Sequence, residues 1–284
     1  MGKLIAAGRQ YAPQQGDQAQ FTYGAFLTLA GCSFFAAIGA LAEKLTQRLP
    51  APLRWLVQAL TLKATFSLSG LDRAASEVRA ALEEDDLDGA RQAVSWHLVS
   101  RDTSTLNESQ VAAATIESVA ENASDGIIAP LFFYTLGGLP AALAYRFANT
   151  ADSMLGYRDA AREWLGKFPA RFDDLLNFVP ARLTGLLIVL VSPFRGGSMA
   201  KSWNIMWRDA PTTDSPNAGY PMSAMAGALE VELEKVGQYN LGKGQREPRT
   251  EDIKKARGLL AVATGLAVAL FVFLLHQTSR YSSD

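Results

Sequence analysis

Phe21 to Ala42 runs for 22 residues without a charged side chain, and Gly258 to Leu275 runs for 18. Both reach the length that a helix needs to cross the hydrocarbon core of a bilayer. A buried helix of a soluble protein explains one such run; two in one chain predict an integral membrane protein. A cleaved signal peptide does not fit the first run, which starts late and ends at Glu43 rather than at a small-residue cleavage site. The expected fold class is all-α: a multi-pass integral membrane protein with cytoplasmic helices and re-entrant hairpins.

The rest of the chain divides around those runs. Residues 1–20 read as a polar N-terminal tail outside the core, and residues 21–284 as a single membrane-embedded domain with spans near 21–42 and 258–275. Arg54 and Lys63 interrupt Leu49 to Leu71, which predicts an interfacial or packed helix with snorkelling basic side chains. Leu71 to Leu98 predicts two amphipathic helices broken near Glu83 to Gly89, and Met199 to Trp207 a further helix. The apolar segment 127–145 is cut by Gly137, Gly138 and Pro140 into two pieces of about nine residues. Segment 178–194 is short. Both are expected to be re-entrant. Lys44, Arg48, Arg54 and Lys63 follow the first span, and Lys243 to Arg257 places six basic residues before the last. By the positive-inside rule residues 43 and 257 are then both cytoplasmic, so an even number of crossings lies between them.

Charge and special residues exclude several classes. With 27 Lys+Arg against 28 Asp+Glu and no basic stripe, nothing points to nucleic acid. The single Cys32 lies in an apolar run, and His97 and His276 are far apart, so neither a disulfide framework nor a Cys- or His-based zinc site is expected. There is no GxxxxGK[ST], GxSxG or HExxH motif.

Chemistry is expected from carboxylates. With Ile116 to Gly126 as a helix, Glu117 and Glu121 stand one turn apart and Asp125 extends the same edge, while Ala112, Ile116, Val119 and Ala120 form the opposite, packing face. No basic residue occurs between Arg101 and Arg146. Acids without cationic neighbours beside an apolar wall are costly, so this stripe suggests a metal or a cationic ligand. A solvated acidic face is the competing explanation. Similar clusters recur at Ser100–Asp102, Asn149–Asp159, Phe172–Arg182 and Arg208–Gly219, each pairing a carboxylate with Arg or Asn. Taken singly they could be helix caps, with Asn149, Asp173 and Ser215 as the capping residues.

The stretches SRDTSTL, IESVAENASDGIIAPLFF, YRFANTADSMLGYRD, AARE with FDDLLNFVPARLTGLL, and RDAPTTDSPNAGYP with MAGAL carry a family resemblance. From about Leu71 to Tyr239 the chain resembles the CobD/CbiB family, the adenosylcobinamide-phosphate synthases of cobalamin biosynthesis. The resemblance implies an enzyme of the bacterial inner (cytoplasmic) membrane with a cytoplasmic active face. It implies a ligase that joins a propionate carboxyl of adenosylcobyric acid to 1-aminopropan-2-ol or its phosphate, with ATP and Mg²⁺. On that reading Asp102, Glu121 and Asp125 are Mg²⁺ ligands or the base, with Glu117 beside them. Asp152, Asp173 and Asp174 form a second acidic group, the last two also as metal ligands. Arg101, Arg158, Arg182 and Arg208 meet phosphate, and Asn122, Asn149, Asn177 and Asn217 meet polar substrate groups. Membrane lipid, the corrinoid and the amine are the expected partners; a homo-oligomer is compatible with this.

Three departures accompany the resemblance. Family members open with an apolar segment and a GDP-type motif before the residues matching MGKLI, so a first helix and any site residue on it are expected to be missing here. Thr213 and Asp214 stand where a His often precedes SPNAG, and Glu230 to Gly237 carries charge in place of a glycine-rich turn. The alternative is a membrane sensor resembling the AmpE branch, which need not keep the Asp, Glu and Arg clusters. Corrinoid transport is disfavoured because the ionisable residues sit at polar boundaries rather than mid-span.

Overall fold

The computed structural model describes residues 1–66, 68–99, 101–156 and 163–281. It is an all-α membrane protein, with helices at Asp17–Thr46, Glu108–Leu155, Glu163–Arg195 and Thr250–Gln277 long and apolar enough to cross a bilayer. The chain forms two compact units rather than the single domain expected, and each is discontinuous in sequence: 1–66 with 129–177, and 67–128 with 178–284.

The first unit is organised by α2 (Asp17–Thr46) and α7 (Ala129–Leu155). Small residues form the packed stripe of α2: Gly24, Thr28, Gly31 and Gly39 are buried. A Cβ on Gly31 would lie 2.0 Å from the Phe147 ring, so the two helices meet almost backbone to side chain. Its large apolar residues point the other way; Phe26 is 67% exposed and Phe34 56%. Small residues inside and large ones outside is the pattern of a helix packed in lipid, where the hydrophobic effect gives no reason to bury Phe. Helix α1 (Gly2–Gln10) corrects the expectation of a tail: Ile5 is fully buried against Phe147, Ala151 and Leu155. The polar composition of residues 1–20 hid one apolar side of a short helix. Helix α3 (Ala51–Lys63) buries no residue and exposes Trp55, Leu56 and Leu60, as expected of an interfacial helix.

Helix α7 is broken where its glycines fall. Gly137 (φ −152°, ψ 27°) and Gly138 (φ 64°, ψ −155°) leave helical geometry. Phe133 and Tyr145, on either side of the break, stack with ring centroids 4.8 Å apart. In a straight helix the same two positions would be about 18 Å apart, so the segment folds back on itself. The second limb does not stop near Tyr145 but continues to Leu155, which places Asn149 and Asp152 on a helix. The broken tip exposes an amide that Glu43 satisfies from α2: its Oε1 accepts the Leu139 N–H at 2.8 Å. Glu43→Leu should therefore cost about 1–3 kcal/mol by orphaning that amide, whereas Glu43→Gln keeps an acceptor and most of the stability. Thermal unfolding of the three proteins in one detergent checks this; equal midpoints for Leu and Gln would remove the cap.

Helix α8 (Glu163–Val191) corrects the second hairpin expected. It is one continuous helix of 29 residues, about 44 Å long, and Pro180 does not break it. Read without the preceding polar turns, segment 178–194 looked too short to cross.

The second unit is built around α6 (Glu108–Ala123). Asn107 and Gln110 cap its start reciprocally, side chain to backbone in both directions. Every residue from Val111 to Ala120 is buried, because α4 (Leu68–Glu83), α5 (Leu87–His97), α10 (Gly219–Leu229) and α11 (Thr250–Tyr281) all pack on it. Its alanines allow that many neighbours. Arg257 of α11 grips Asp72 of α4 with two hydrogen bonds of 2.7 and 2.8 Å, holding that carboxyl below its usual range. Helix α6 runs into a π turn at Ser124–Ile128. An antiparallel hairpin of β1 (Leu233–Lys235) and β2 (Tyr239–Leu241), which the sequence reading did not anticipate, also packs on α6. Leu233 and Leu241 are fully buried and anchor it, and Lys235 pairs with Tyr239 at its tip end.

Candidate active site

In the second unit a cleft of about 280 Å³ opens beside α6, with Glu117 and Glu121 along one wall. The expected one-turn spacing holds, but the solvated-stripe picture does not. Glu117 is only 5% exposed, and Glu121 is the accessible acid. The acids are not without cations either. Arg101 Nη2 stands 3.7 Å from Glu117 Oε2, a charge pair longer than a hydrogen bond. Lys235, delivered by the hairpin, faces both glutamates. Local sequence shows no basic neighbour because these cations come from an upstream loop and from β1. Two polar atoms stay unmatched in the wall: Glu117 Oε1 and Arg101 Nε are buried and have no hydrogen-bond partner. Buried orphans of this kind are uncommon and mark places where a ligand completes the network. Tyr239 closes the cleft, its hydroxyl donating weakly to Met222 Sδ at 3.9 Å. Burial first, then the two glutamates, raises its pKa far above the ordinary phenol, so Tyr239 keeps its proton and can only donate.

The other acids expected here are placed differently. Asp102 is exposed and spends its carboxylate on a local turn, with Oδ1 accepting the Ser104 N–H at 2.9 Å, which lowers its pKa. It does not line the cleft; its neighbour Arg101 does. Asp125 lies in the π turn, where the wider coil takes it off the line through Glu117 and Glu121. Asn122 is exposed and donates to the Ser118 carbonyl at 2.9 Å. Among the described residues no three His, Cys, Asp or Glu groups converge to hold a metal ion, so Asp102, Glu121 and Asp125 do not form one cage.

Elsewhere in this unit Arg182 joins two of the sequence clusters. Its guanidinium donates to Asn217 Oδ1 at 3.2 Å and lies between the Phe178 and Tyr220 rings, 3.6 and 4.1 Å from their centroids. Arg208 is engaged by the next residue, with Nε and Nη2 donating to the two oxygens of Asp209 at 2.5 and 2.8 Å. Asp209 also accepts the Gly242 N–H at 2.7 Å, so this arginine ties α9 (Met199–Asp209) to the segment after the hairpin. Ser215 does serve as a capping residue: its Oγ accepts the N–H groups of Asn217 and Ala218 at 3.3 and 3.2 Å.

The first unit holds the second acidic group, and here the capping explanation fails. Asn149 and Asp173 are interior to α7 and α8. Asp173 is buried and accepts from Asn177 Nδ2 at 2.9 Å and Asn149 Nδ2 at 3.4 Å. Tyr145 in turn donates to Asn177 Oδ1 at 2.8 Å, and Arg146 to Asn149 Oδ1 at 3.2 Å. Asp152 is close enough to act on Asp173 electrostatically. Asp174, one position on, faces a separate cleft of about 320 Å³ with Lys167 and Arg171, the latter 4.0 Å from it. Arg158 and Ser100 lie outside the described residues.

An all-α membrane protein that sets paired carboxylates against Arg and Lys in a polar cleft belongs to a class built to handle a small charged ligand at a bilayer. The model of the CobD/Cbib protein family matches residues 1–271, and the chain belongs to that family. It is 46% identical over 243 residues to the cobalamin biosynthesis protein CobD of Dehalococcoides mccartyi, covering 85% of this chain and 78% of that one. Against the probable cobalamin biosynthesis protein CobD of Methanothermobacter thermautotrophicus the identity is 41% over 249 residues, 87% and 82% of the two chains. Against the cobalamin biosynthesis protein CbiB of Salmonella choleraesuis it is 39% over 274 residues, 93% and 84%. No solved structure matches the chain.

Proposed function

We propose that the protein acts in cobalamin biosynthesis as an ATP-dependent ligase at the cytoplasmic face of the cell's inner membrane. It joins a propionate carboxyl of adenosylcobyric acid to 1-aminopropan-2-ol or its phosphate. The observation that carries this reading is the cleft in which Glu117 and Glu121 face Arg101 and Lys235, with a buried carboxylate oxygen left unmatched. Amide formation from a carboxylate needs that mixture. The propionate oxygen attacks the terminal phosphorus of ATP and ADP leaves, giving an acyl phosphate. The amine then gives a proton to a carboxylate, attacks the acyl carbon, and phosphate departs. Glu121, the accessible acid, is placed to take the proton. Arg101 and Lys235 offset the phosphate charge, and Tyr239 donates to a developing oxyanion.

Mg²⁺ bridging nucleotide phosphates needs only one or two protein carboxylates, with water and phosphate oxygens for the rest. The absence of a three-acid cluster among the described residues fits such a shared ion better than a resident one. Glu121, and in the first unit Asp174 beside Lys167 and Arg171, have the ligand chemistry for it.

The test is a direct one. Purified protein in lipid nanodiscs, given adenosylcobyric acid, the amine, ATP and Mg²⁺, should yield the corrinoid amide by mass spectrometry with one ADP per amide. A folded preparation that forms no amide with either amine, beside an active relative in the same assay, would sink the ligase reading.

A further inference from the structure

The cleft of the second unit is too small for a corrinoid and is polarised along its length. At about 280 Å³ it suits a molecule of roughly ten heavy atoms rather than a macrocycle or a whole nucleotide. Its acids stand on α6, while one of its cations, Lys235, stands on the hairpin that packs across. Arg101 is partly committed, since its charge faces Glu117 at 3.7 Å. Lys235 makes no ion pair of 4.0 Å or less among the described residues. Its ammonium is 5.6 Å from the centroid of the Tyr239 ring. Glu117 Oε1 is an orphaned acceptor in the wall of the cleft, which an N–H of a bound ammonium would satisfy.

We infer that this cleft is the subsite of a small zwitterion, an aminoalkyl phosphate, whose ammonium meets Glu117 and Glu121 and whose phosphate meets Lys235 and Arg101. Lys235 is then the specificity-determining residue that separates the phosphorylated amino alcohol from the free one. A free amino alcohol leaves Lys235 facing the two glutamates with no anion of the ligand to meet. The phosphate ester supplies that anion within the same short molecule. The hairpin explains why the charge in Glu230 to Gly237 replaces a flexible turn: a lysine on a paired strand holds its place better than one on a loop. The identity of the amine rests on the ligase reading; the charge pattern of the cleft does not.

Two measurements separate the two ideas. ³¹P NMR of 1-aminopropan-2-ol phosphate titrated with the protein in nanodiscs, without ATP or corrinoid, should show line broadening that Lys235→Ala weakens at least tenfold and Lys235→Arg partly restores. In the complete assay, the ratio of kcat/KM for the phosphorylated over the free amine should fall at least tenfold in Lys235→Ala, while the KM for ATP stays put. Phosphate-ester binding equal in wild type and Lys235→Ala, or absent from wild type, overturns the inference whatever the ligase assay gives. A rise in the KM for ATP instead would assign the cleft to the nucleotide and overturn it too. Binding lost in Lys235→Ala with no amide ever formed keeps the subsite and removes the ligase.

Discussion

Arg101→Met should abolish most of the activity and a good part of the stability, for a single reason. Glu117 is enclosed by α6 and its neighbours, and Arg101 is the cation paired with its Oε2. Removing one partner of a buried pair leaves the other charge uncompensated, which costs about 3–5 kcal/mol when both are enclosed. Arg101 is 26% exposed, so the lower end, about 3 kcal/mol, is the expected loss in thermal or denaturant unfolding. Turnover should drop about 10²- to 10³-fold, the usual effect of deleting a group that offsets charge in a reacting complex. Stability and activity can then be separated. In the double variant Arg101→Met with Glu117→Leu the stranded carboxylate is gone and an apolar pair fills the same space. Stability should return to within about 1 kcal/mol of wild type, while amide formation stays at background. Recovery of both in the double variant would make the pair a packing feature and nothing more.

The placement of that pair shows where sequence reasoning stops. The one-turn spacing of Glu117 and Glu121 was legible because helical periodicity is local. The absence of basic residues from 102 to 145 was equally legible, and it misled. Charges neutralise one another in space, and Lys235 reaches α6 only because Leu233 and Leu241 bury a three-residue strand pair on it. Nothing in LEKVGQYNL carries a strong enough strand signal to predict that; Gly237 between a Lys and a Tyr was its sole turn cue. The spans were plain from length and lack of charge. Which side of a span packs was not, because Gly24, Gly31 and Gly39 contribute little to hydropathy although they choose the face. Ile5 was hidden likewise, one apolar contact in a polar stretch. Asn149 and Asp173 resemble helix caps by residue type, and only the extended limb of α7 and the unbroken α8 make them interior groups that bond each other.

Gly138→Ala should be the most damaging single methyl in the chain. The break in α7 places Gly138 at φ 64° and ψ −155°, a region open essentially to glycine alone, and a side chain held there costs about 1–3 kcal/mol. Space adds to strain. The new Cβ would fall 2.2 Å from Glu43 Oε1, the oxygen that accepts the Leu139 N–H, so the cap must leave and its amide is orphaned. Together these give a loss of about 3–5 kcal/mol, with the second limb of α7 losing its register against α2. Gly126→Ala is the matched control. It sits in the π turn, its Cβ would meet nothing within 4 Å, and the change should be neutral or stabilise by up to about 1 kcal/mol. Gly137→Ala should fall between, since its φ of −152° is open to any residue and its Cβ meets only Ala141 Cβ at 3.0 Å. Unfolding midpoints of the three variants in one detergent, read by size-exclusion fluorescence, give the order directly. If Gly138→Ala unfolds no earlier than Gly126→Ala, the fold-back at residues 137–138 is not what holds the first unit together, and Asn149 and Asp173 must owe their alignment to something else.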